Sequence, residues 1–455
     1  MKTQLVPKYG LFTAISLVIG QVIGSGIFFK VDDVLLATKG NIFAGLLGFV
    51  IVGISVVFAA VSMANYAQIL PGDGGILNYV EYRFGKKASA LVGWMYLSLF
   101  YPSLTAVLFT VSGIYISHLL GEFLDFTPTF LHYSLIGFVN LCLFWMLNVF
   151  RPKTSGVFQQ LTTVVKLIPL ILIASLGIIV LLPGNGNEIA ALTSAETNSG
   201  QGFWFLVAAS FIPIAFAFDG WYIATQLSGE IKNVQKNLPK ALIIGTITVL
   251  VVYVLYYCGI VLRMSSSDIL RLKDTYIIEF SRRIASKSGS VIIQIFVIIS
   301  VLGTSNGLLM ATTRVPFQFY NLDRTKKFLN LGHIHSRTNM PMNSAIFAFW
   351  VIGLYMVLYY FTNTDQFFTN INYDLSAIPI AFIYMVNGAL FVGLLTLIKK
   401  GVFHGRRGLK YLMAIIAILG VLIVLIGTAT APNGLSYMVI SIIFFMAGFF
   451  FIKKK

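Results

Sequence analysis

The feature that most constrains this chain is the length of its apolar runs. Tyr411–Gly427 and Leu435–Ile452 contain no Asp, Glu, Lys or Arg. A helical run of about 18 apolar residues matches the hydrocarbon core of a bilayer. In that medium only a helix or a closed barrel satisfies every backbone hydrogen bond. Composition agrees: 57% of the 455 residues are hydrophobic and 11% are charged, with a mean hydropathy of +0.86. A soluble domain carries about 25% charged residues. No polar stretch is long enough to fold as a separate soluble domain.

Hydropathy predicts twelve helices, at 10–30, 42–64, 88–118, 132–150, 156–182, 202–227, 240–262, 289–314, 343–362, 375–398, 409–430 and 435–452. The net charge of +16 is not a nucleic-acid footprint, because the basic residues sit in short loops between spans and no binding motif accompanies them. They are topology signals. With the N-terminus inside, 23 basic residues fall in cytoplasmic segments and eight in outer ones, six of these in one long loop. Both termini of a multi-pass inner (cell) membrane protein are therefore expected in the cytoplasm. Lys2, Lys8, the apolar stretch from Leu11 and the small residues Gly24-Ser25-Gly26 imitate a cleavable signal, but the segment fits better as the first of many spans. Cys142 and Cys258 both lie in apolar segments, which argues against a disulfide framework, and neither shows metal-ligand spacing. No metal or cofactor is expected.

Lys166 is the basic residue that no loop accommodates. It lies ten residues into its span, about 15 Å along a helix and near the bilayer midplane. Snorkelling is the bland account of it; an intramembrane ammonium more often marks function. Among the 16 acidic residues, Asp219 is the one expected deep inside a span. Pro213 and Gly220 flank it and weaken the helix, so this sixth span is expected to break. Asp219 then either caps the second half-helix or lines a cavity, and the two roles are compatible.

The first span has a matching weakness at Gly20, Gly24, Ser25 and Gly26. Gly20-x-x-x-Gly24 alone would be an ordinary helix-packing motif. The register argues for more, because the two weak points lie five helices apart. Interrupted spans at corresponding positions of two halves point to a midplane substrate site in inverted-repeat transporters, the leucine-transporter type of fold. The expected architecture is all-α: a first repeat over 10–182, an inverted second repeat over 202–398, and two extra helices over 409–452. A half-helix N-terminus favours a carboxylate, and the carbonyls ending the preceding half favour an ammonium. An amino acid carries both groups on one carbon.

The segment Gly24-Ser25-Gly26-Ile27-Phe28 resembles the unwound segment of the amino acid–polyamine–organocation superfamily. Phe216-Ala-Phe-Asp-Gly-Trp221, Gly229-Glu230-Ile-Lys-Asn233, Asn237-Leu-Pro239, Pro71-x-x-Gly74-Gly75 and Gly303-Thr-Ser-Asn-Gly307 resemble its L-amino-acid transporter branch, most of all bacterial serine/threonine and alanine/serine/cysteine exchangers. Departures are Val234 for a frequent proline, Leu77 for a frequent aromatic, and Phe218 where bacterial relatives often carry tyrosine. The resemblance implies that the backbone of Gly24, Ser25 and Gly26 binds a substrate carboxylate. It further implies that carbonyls near Ile23 and Phe216 bind the amino group, that the Phe216 ring closes over the ligand, and that Asp219 and Trp221 belong to the same site. Lys166 is implied to occupy the cation site of sodium-coupled relatives, bridging the first break to Thr304 and Ser305. Mammalian relatives bond to a single-span glycoprotein through a cysteine between helices 3 and 4; the loop from His118 to His132 has none, so no disulfide-linked heavy subunit is expected.

The expectation is a sodium-independent exchanger of small neutral L-amino acids such as alanine, serine, threonine or cysteine, and not an enzyme. The alternative is a proton-coupled permease, or a carrier of cationic amino acids or polyamines that uses Asp219. More remote is an intramembrane hydrolase: Gly303-Thr-Ser305-Asn-Gly307 matches the G-x-S-x-G pattern, but it lies in mid-span, and the five histidines fall in loops or at span ends. A channel would call for rings of charge or carbonyl filters rather than two broken helices in one asymmetric chain. The charge bias yields a direct test: a phosphatase fused to the C-terminus should be inactive and a fluorescent protein there bright, and the reverse result would break the even helix count.

Overall fold

The structure, a computed structural model, describes residues 5–24, 26–70, 74–124, 126–180, 202–272, 276–321, 330–364, 375, 378–403, 406–430 and 434–451. The described residues are helical, apart from turns and two isolated backbone bridges, Tyr9 with Ile231 and Ile334 with Pro341. Among the described residues, ten helical segments are long and apolar enough to cross a membrane, and two shorter apolar helices lie at Leu11–Val22 and Gly434–Phe450. The helices run α1 Leu11–Val22, α2 Val31–Ala37, α3 Ile42–Ile69, α4 Ile76–Met95, α5 Tyr101–Leu124, α6 Phe130–Phe150, α7 Pro152–Val180 and α8 Phe203–Ala217. They continue as α9 Val234–Val261, α10 Ser266–Leu272, α11 Tyr276–Thr312, α12 Val315–Asn321, α13 Met342–Thr362, α14 Ile380–Lys399, α15 Arg407–Thr430 and α16 Gly434–Phe451.

The outer surface is that of a membrane protein. Leu131, Leu135, Leu143, Met146 and Phe150 of α6 are all exposed, as are Trp350 and Leu354 of α13 and Phe450 of α16. The α6 residues recur three, four or eight apart, on one face of a helix. A water-soluble monomer does not show apolar surface on this scale; against lipid it costs nothing. Polar groups turn inward instead, and α1 buries nine of its twelve residues in the centre of the bundle against α7, α9 and α11.

Several expected boundaries shift. The long loop expected between spans 7 and 8 folds as α10 and the first turns of α11. Ion pairs of helical spacing, Arg271 with Asp268 and Arg283 with Glu279, hold these turns together. The third span begins earlier than residue 88, since helix resumes directly across a kink at Gly85, whose φ of +83° suits glycine. Pro213 stays within α8, and the sixth span breaks only at Phe218–Gly220.

Where α5 crosses α6, two glycines let the backbones touch. A Cβ on Gly113 would lie 2.0 Å from the Tyr133 carbonyl oxygen, and one on Gly137 would lie 2.6 Å from that of Phe109. Gly137→Leu should therefore lower the thermal midpoint of the detergent-solubilised protein, by about 1–3 kcal/mol in stability terms. Leu143→Val on the lipid-facing side should leave it unchanged. Equal midpoints for both variants would remove the close crossing.

Candidate functional site

The first span breaks after Val22. Ile23 leaves the helix with ψ 85°, and the Gly24 N–H turns back to the Val22 carbonyl at 2.9 Å. In a continuous helix that N–H would serve the Gly20 carbonyl. The break thus orphans Gly20 and Ile23 carbonyls inside an apolar medium, where an unpaired acceptor is costly. Lys166 fills the gap. Its fully buried ammonium donates to the Gly20 oxygen at 2.9 Å, the Ile23 oxygen at 2.6 Å and Thr304 Oγ1 at 3.1 Å. Three N–H donors meet three neutral acceptors on two other spans.

The motif around Thr304 is a set of close-packing seats. A Cβ on Gly303 would lie 2.5 Å from Thr162 Oγ1; one on Gly307 would lie 2.1 Å from Gln21 Nε2; one on Gly20 would lie 2.3 Å from Gln159 Nε2. α1, α7 and α11 approach here with amide and hydroxyl side chains filling the space that glycine leaves. Gln21 Nε2 donates to the Thr304 carbonyl at 3.1 Å. Asn306 accepts from Asn148 at 3.0 Å and Ser155 at 2.9 Å, and donates to Gln159 Oε1 at 3.2 Å.

The sixth span ends α8 at Ala217 and resumes as a 3-10 helix over Trp221–Glu230. Gly220 between them has φ +98°, a left-handed conformation that demands glycine. Asp219 does not cap the second half: its carboxylate accepts the Tyr222 hydroxyl at 3.2 and 3.4 Å, and the resumed helix has no side-chain cap. The two breaks are joined by a residue that the sequence reading missed. The Tyr253 hydroxyl of α9 lies 2.9 Å from the Val22 oxygen and 3.2 Å from that of Ala217, the last helical carbonyls before each break. Among 21 tyrosines, nothing local singles it out. Ser300 was missed too; its hydroxyl donates to the Gly24 carbonyl at 3.2 Å.

Not every expected site residue joins this cluster. Ser305 bonds its own helix at the Val301 carbonyl, 2.9 Å away, rather than Lys166. Trp221 lines a cavity with Val52, Ser55, Tyr384, Asn387 and Val421, between α3, α14 and α15. Phe216 is half-buried beside the second break, and its carbonyl accepts the Asp219 N–H at 3.2 Å. Ser25 lies outside the described residues.

A second buried charge cluster lies at the far end of the sixth span. Glu230 is fully buried, and so is Arg314, which was expected at the very end of the eighth span; their side chains pair through two bonds of 2.6 and 3.2 Å. Lys8 joins as a third member, paired with Glu230. The N–H groups of Lys8 and Tyr9 bond the Glu230 carbonyl at 2.8 and 2.9 Å, strapping the N-terminal segment across the bundle. Burial pulls the Lys8 ammonium below its ordinary pKa, with the Glu230 carboxylate as the main opposing influence.

A multi-pass helical membrane protein with two interrupted spans, cross-braced at their breaks by a buried lysine and a tyrosine, is built like a carrier rather than a soluble catalyst. The chain belongs to the amino acid permease family, whose pattern matches residues 9–452, within the amino acid–polyamine–organocation superfamily and its L-amino-acid transporter branch. It is 27% identical to the serine/threonine exchanger SteT of Bacillus subtilis over 441 residues, 96% of this chain and 94% of that one. It is 27% identical to the human large neutral amino acids transporter small subunit 2 over 81% of this chain, and 26% identical to the human cystine/glutamate transporter over 75%. The match spans 66% of each human protein.

Lys166→Met keeps the length of the side chain and removes all three bonds. Each buried acceptor left without a donor costs about 1–3 kcal/mol. The variant should melt well below the parent protein, and further below it than Tyr253→Phe, which loses a single hydroxyl. If the two variants melt alike, the Thr304 hydroxyl, 3.0 Å from the Gly20 oxygen and 3.4 Å from that of Ile23, suffices as donor at the first break.

Proposed function

We propose that this protein is a sodium-independent exchanger of small neutral L-amino acids, alanine, serine, threonine or cysteine, working by alternating access. The observation that carries this reading is the Lys166 ammonium seated on the carbonyls at the first break and on Thr304. A fixed positive charge stands there at no cost in ion binding, so the reading needs no mobile sodium. The name of the Bacillus subtilis relative, a serine/threonine exchanger, supports the substrate class.

In this reading α1 and α16 complete twelve spans, arranged as two inverted five-helix repeats with two extra helices. Both termini face the cytoplasm of the cell membrane. The cysteine-free loop between α5 and α6 supports a protein that works without a disulfide-linked heavy subunit. The ligand's carboxylate meets the backbone at Ser25 and Gly26, since the Gly24 N–H is engaged with Val22. Its amino group meets carbonyls near Ile23 and Phe216. Phe216 closes over it.

A second reading has one observation in its favour. Asp219 is met by the hydroxyls of Tyr222 and Tyr384 and, among the described residues, is ion-paired with no basic side chain. A carboxylate of that kind suits a cationic amino acid, a polyamine or a transported proton. One liposome experiment separates the readings. Efflux of labelled alanine should be accelerated by serine or threonine outside, unchanged when choline replaces sodium, and weakly affected by lysine, putrescine or a pH gradient. Sodium dependence would sink the role given to Lys166. Amino-acid amides should compete poorly. Gly26→Leu should lose one charge-assisted hydrogen bond, about 1.5–3 kcal/mol or roughly 10- to 150-fold in affinity. Normal binding by the folded Gly26→Leu protein would place the carboxylate elsewhere.

A further inference from the structure

Two segments far apart in sequence bring their charges together where α4 meets α14. Before the kink at Gly85, Arg83 lies along α14 in a seat that Gly393 provides: a Cβ there would fall 2.7 Å from Arg83 Cγ and 2.9 Å from its Nε. The end of α3 is fixed to the same place by the Tyr66 hydroxyl, which donates to the Leu390 carbonyl at 2.8 Å. On its other side Lys410 of α15 donates to Asn65 Oδ1 at 2.9 Å and stands 4.9 Å from the centre of the Phe403 ring. Around this junction Lys86, Lys87, Lys399, Lys400, Arg406 and Arg407 are all exposed. A Cβ on Gly401 would fall 3.0 Å from Arg407 Nη2, so the end of α14 and the start of α15 share one surface.

None of these six exposed cations is ion-paired among the described residues. The exposed cations that are ion-paired, Arg271, Arg282 and Arg283, sit together at α10 and the first turns of α11. Six unpaired like charges on one surface repel one another, and a bound anion relieves that repulsion. The neighbours of the patch say which anion. Tyr82 is 50% exposed, Phe84 44% and Leu409 49%, and the Arg83 guanidinium stands 5.5 Å from the Phe84 ring centre. Exposed aromatics and aliphatics interleaved with cations at the ends of spans are the composition of the lipid headgroup level. A soluble polyanion would have no use for them.

We propose that this patch is a binding site for an anionic phospholipid. Arg406 and Arg407 offer paired N–H groups to the phosphodiester, Lys86, Lys87, Lys399 and Lys400 supply the surrounding field, and Tyr82, Phe84 and Leu409 lie along the acyl chains. The site stands apart from the residues assigned to the amino acid, and it needs neither a substrate nor an orientation of the termini.

The test is native mass spectrometry of the full-length protein in detergent, titrated with phosphatidylglycerol or with phosphatidylcholine. The unmodified protein should retain phosphatidylglycerol preferentially. K400Q/R406Q/R407Q should lower that retention roughly tenfold or more, whereas K232Q/K236Q/K240Q, which removes three other exposed lysines, should not. Should the first variant fold poorly by elution profile, K86Q/K87Q probes the opposite edge of the patch. Glycerol phosphate in solution should not displace the lipid. Equal retention by the patch variants and the parent, equal loss in the control variant, equal uptake of phosphatidylcholine, or displacement by glycerol phosphate would each overturn the proposal.

Discussion

Everything in this bundle turns on backbone carbonyls that have lost their helical donors in a place water does not reach. A helix crossing a bilayer normally satisfies its own N–H and C=O groups. Interrupting it at Ile23 frees carbonyls that must be paired from outside the span. The chain answers with side chains rather than backbone: Lys166 at Gly20 and Ile23, Ser300 at Gly24, and Tyr253 at Val22 and Ala217. Each donor comes from a different helix, so holding the break open also fixes α7, α9 and α11 around it. An ammonium suits the most demanding place because it alone offers three donors from one atom. Its desolvation is offset by acceptors that the break had already left in need.

That requirement explains what could be seen in the sequence. A lysine ten residues into an apolar run lies deep for a side chain that snorkels, and paired glycine interruptions five spans apart carry a register, so both stood out. Gly220 was visible for the same reason and has a positive φ. Asn306, Gly303 and Gly307 were visible as letters, but their meaning was steric and lay in neighbours more than 140 residues away, Thr162 and Gln159. Tyr253 carried no local mark at all. Pro213 misled, since a proline one turn before a helix end can be tolerated without moving the break.

Charges near span ends were the other limit. Glu230 and Arg314 sit beside runs of polar residues, and each alone looks solvated. Their burial follows from pairing across 84 positions and from the N-terminal segment closing over both. Hydropathy also fixes where helices are apolar rather than where they end. α11 therefore runs 37 residues, with charged first turns held by their own ion pairs, while α1 stops at twelve because its span is interrupted.

The Glu230, Arg314 and Lys8 cluster has a consequence for how easily this end of the bundle can part. An apolar seal loses its full burial free energy when pulled open, and the wider the seal, the steeper the penalty. Ions removed from water behave in the opposite way: much of their mutual attraction is already cancelled by the hydration they gave up. If water follows as the three side chains separate, hydration returns and the net work is small. If water is kept out, three bare charges are stranded and the work is prohibitive. Such a seal is firm against dry distortion and yielding to wet opening, and the same residues supply both properties.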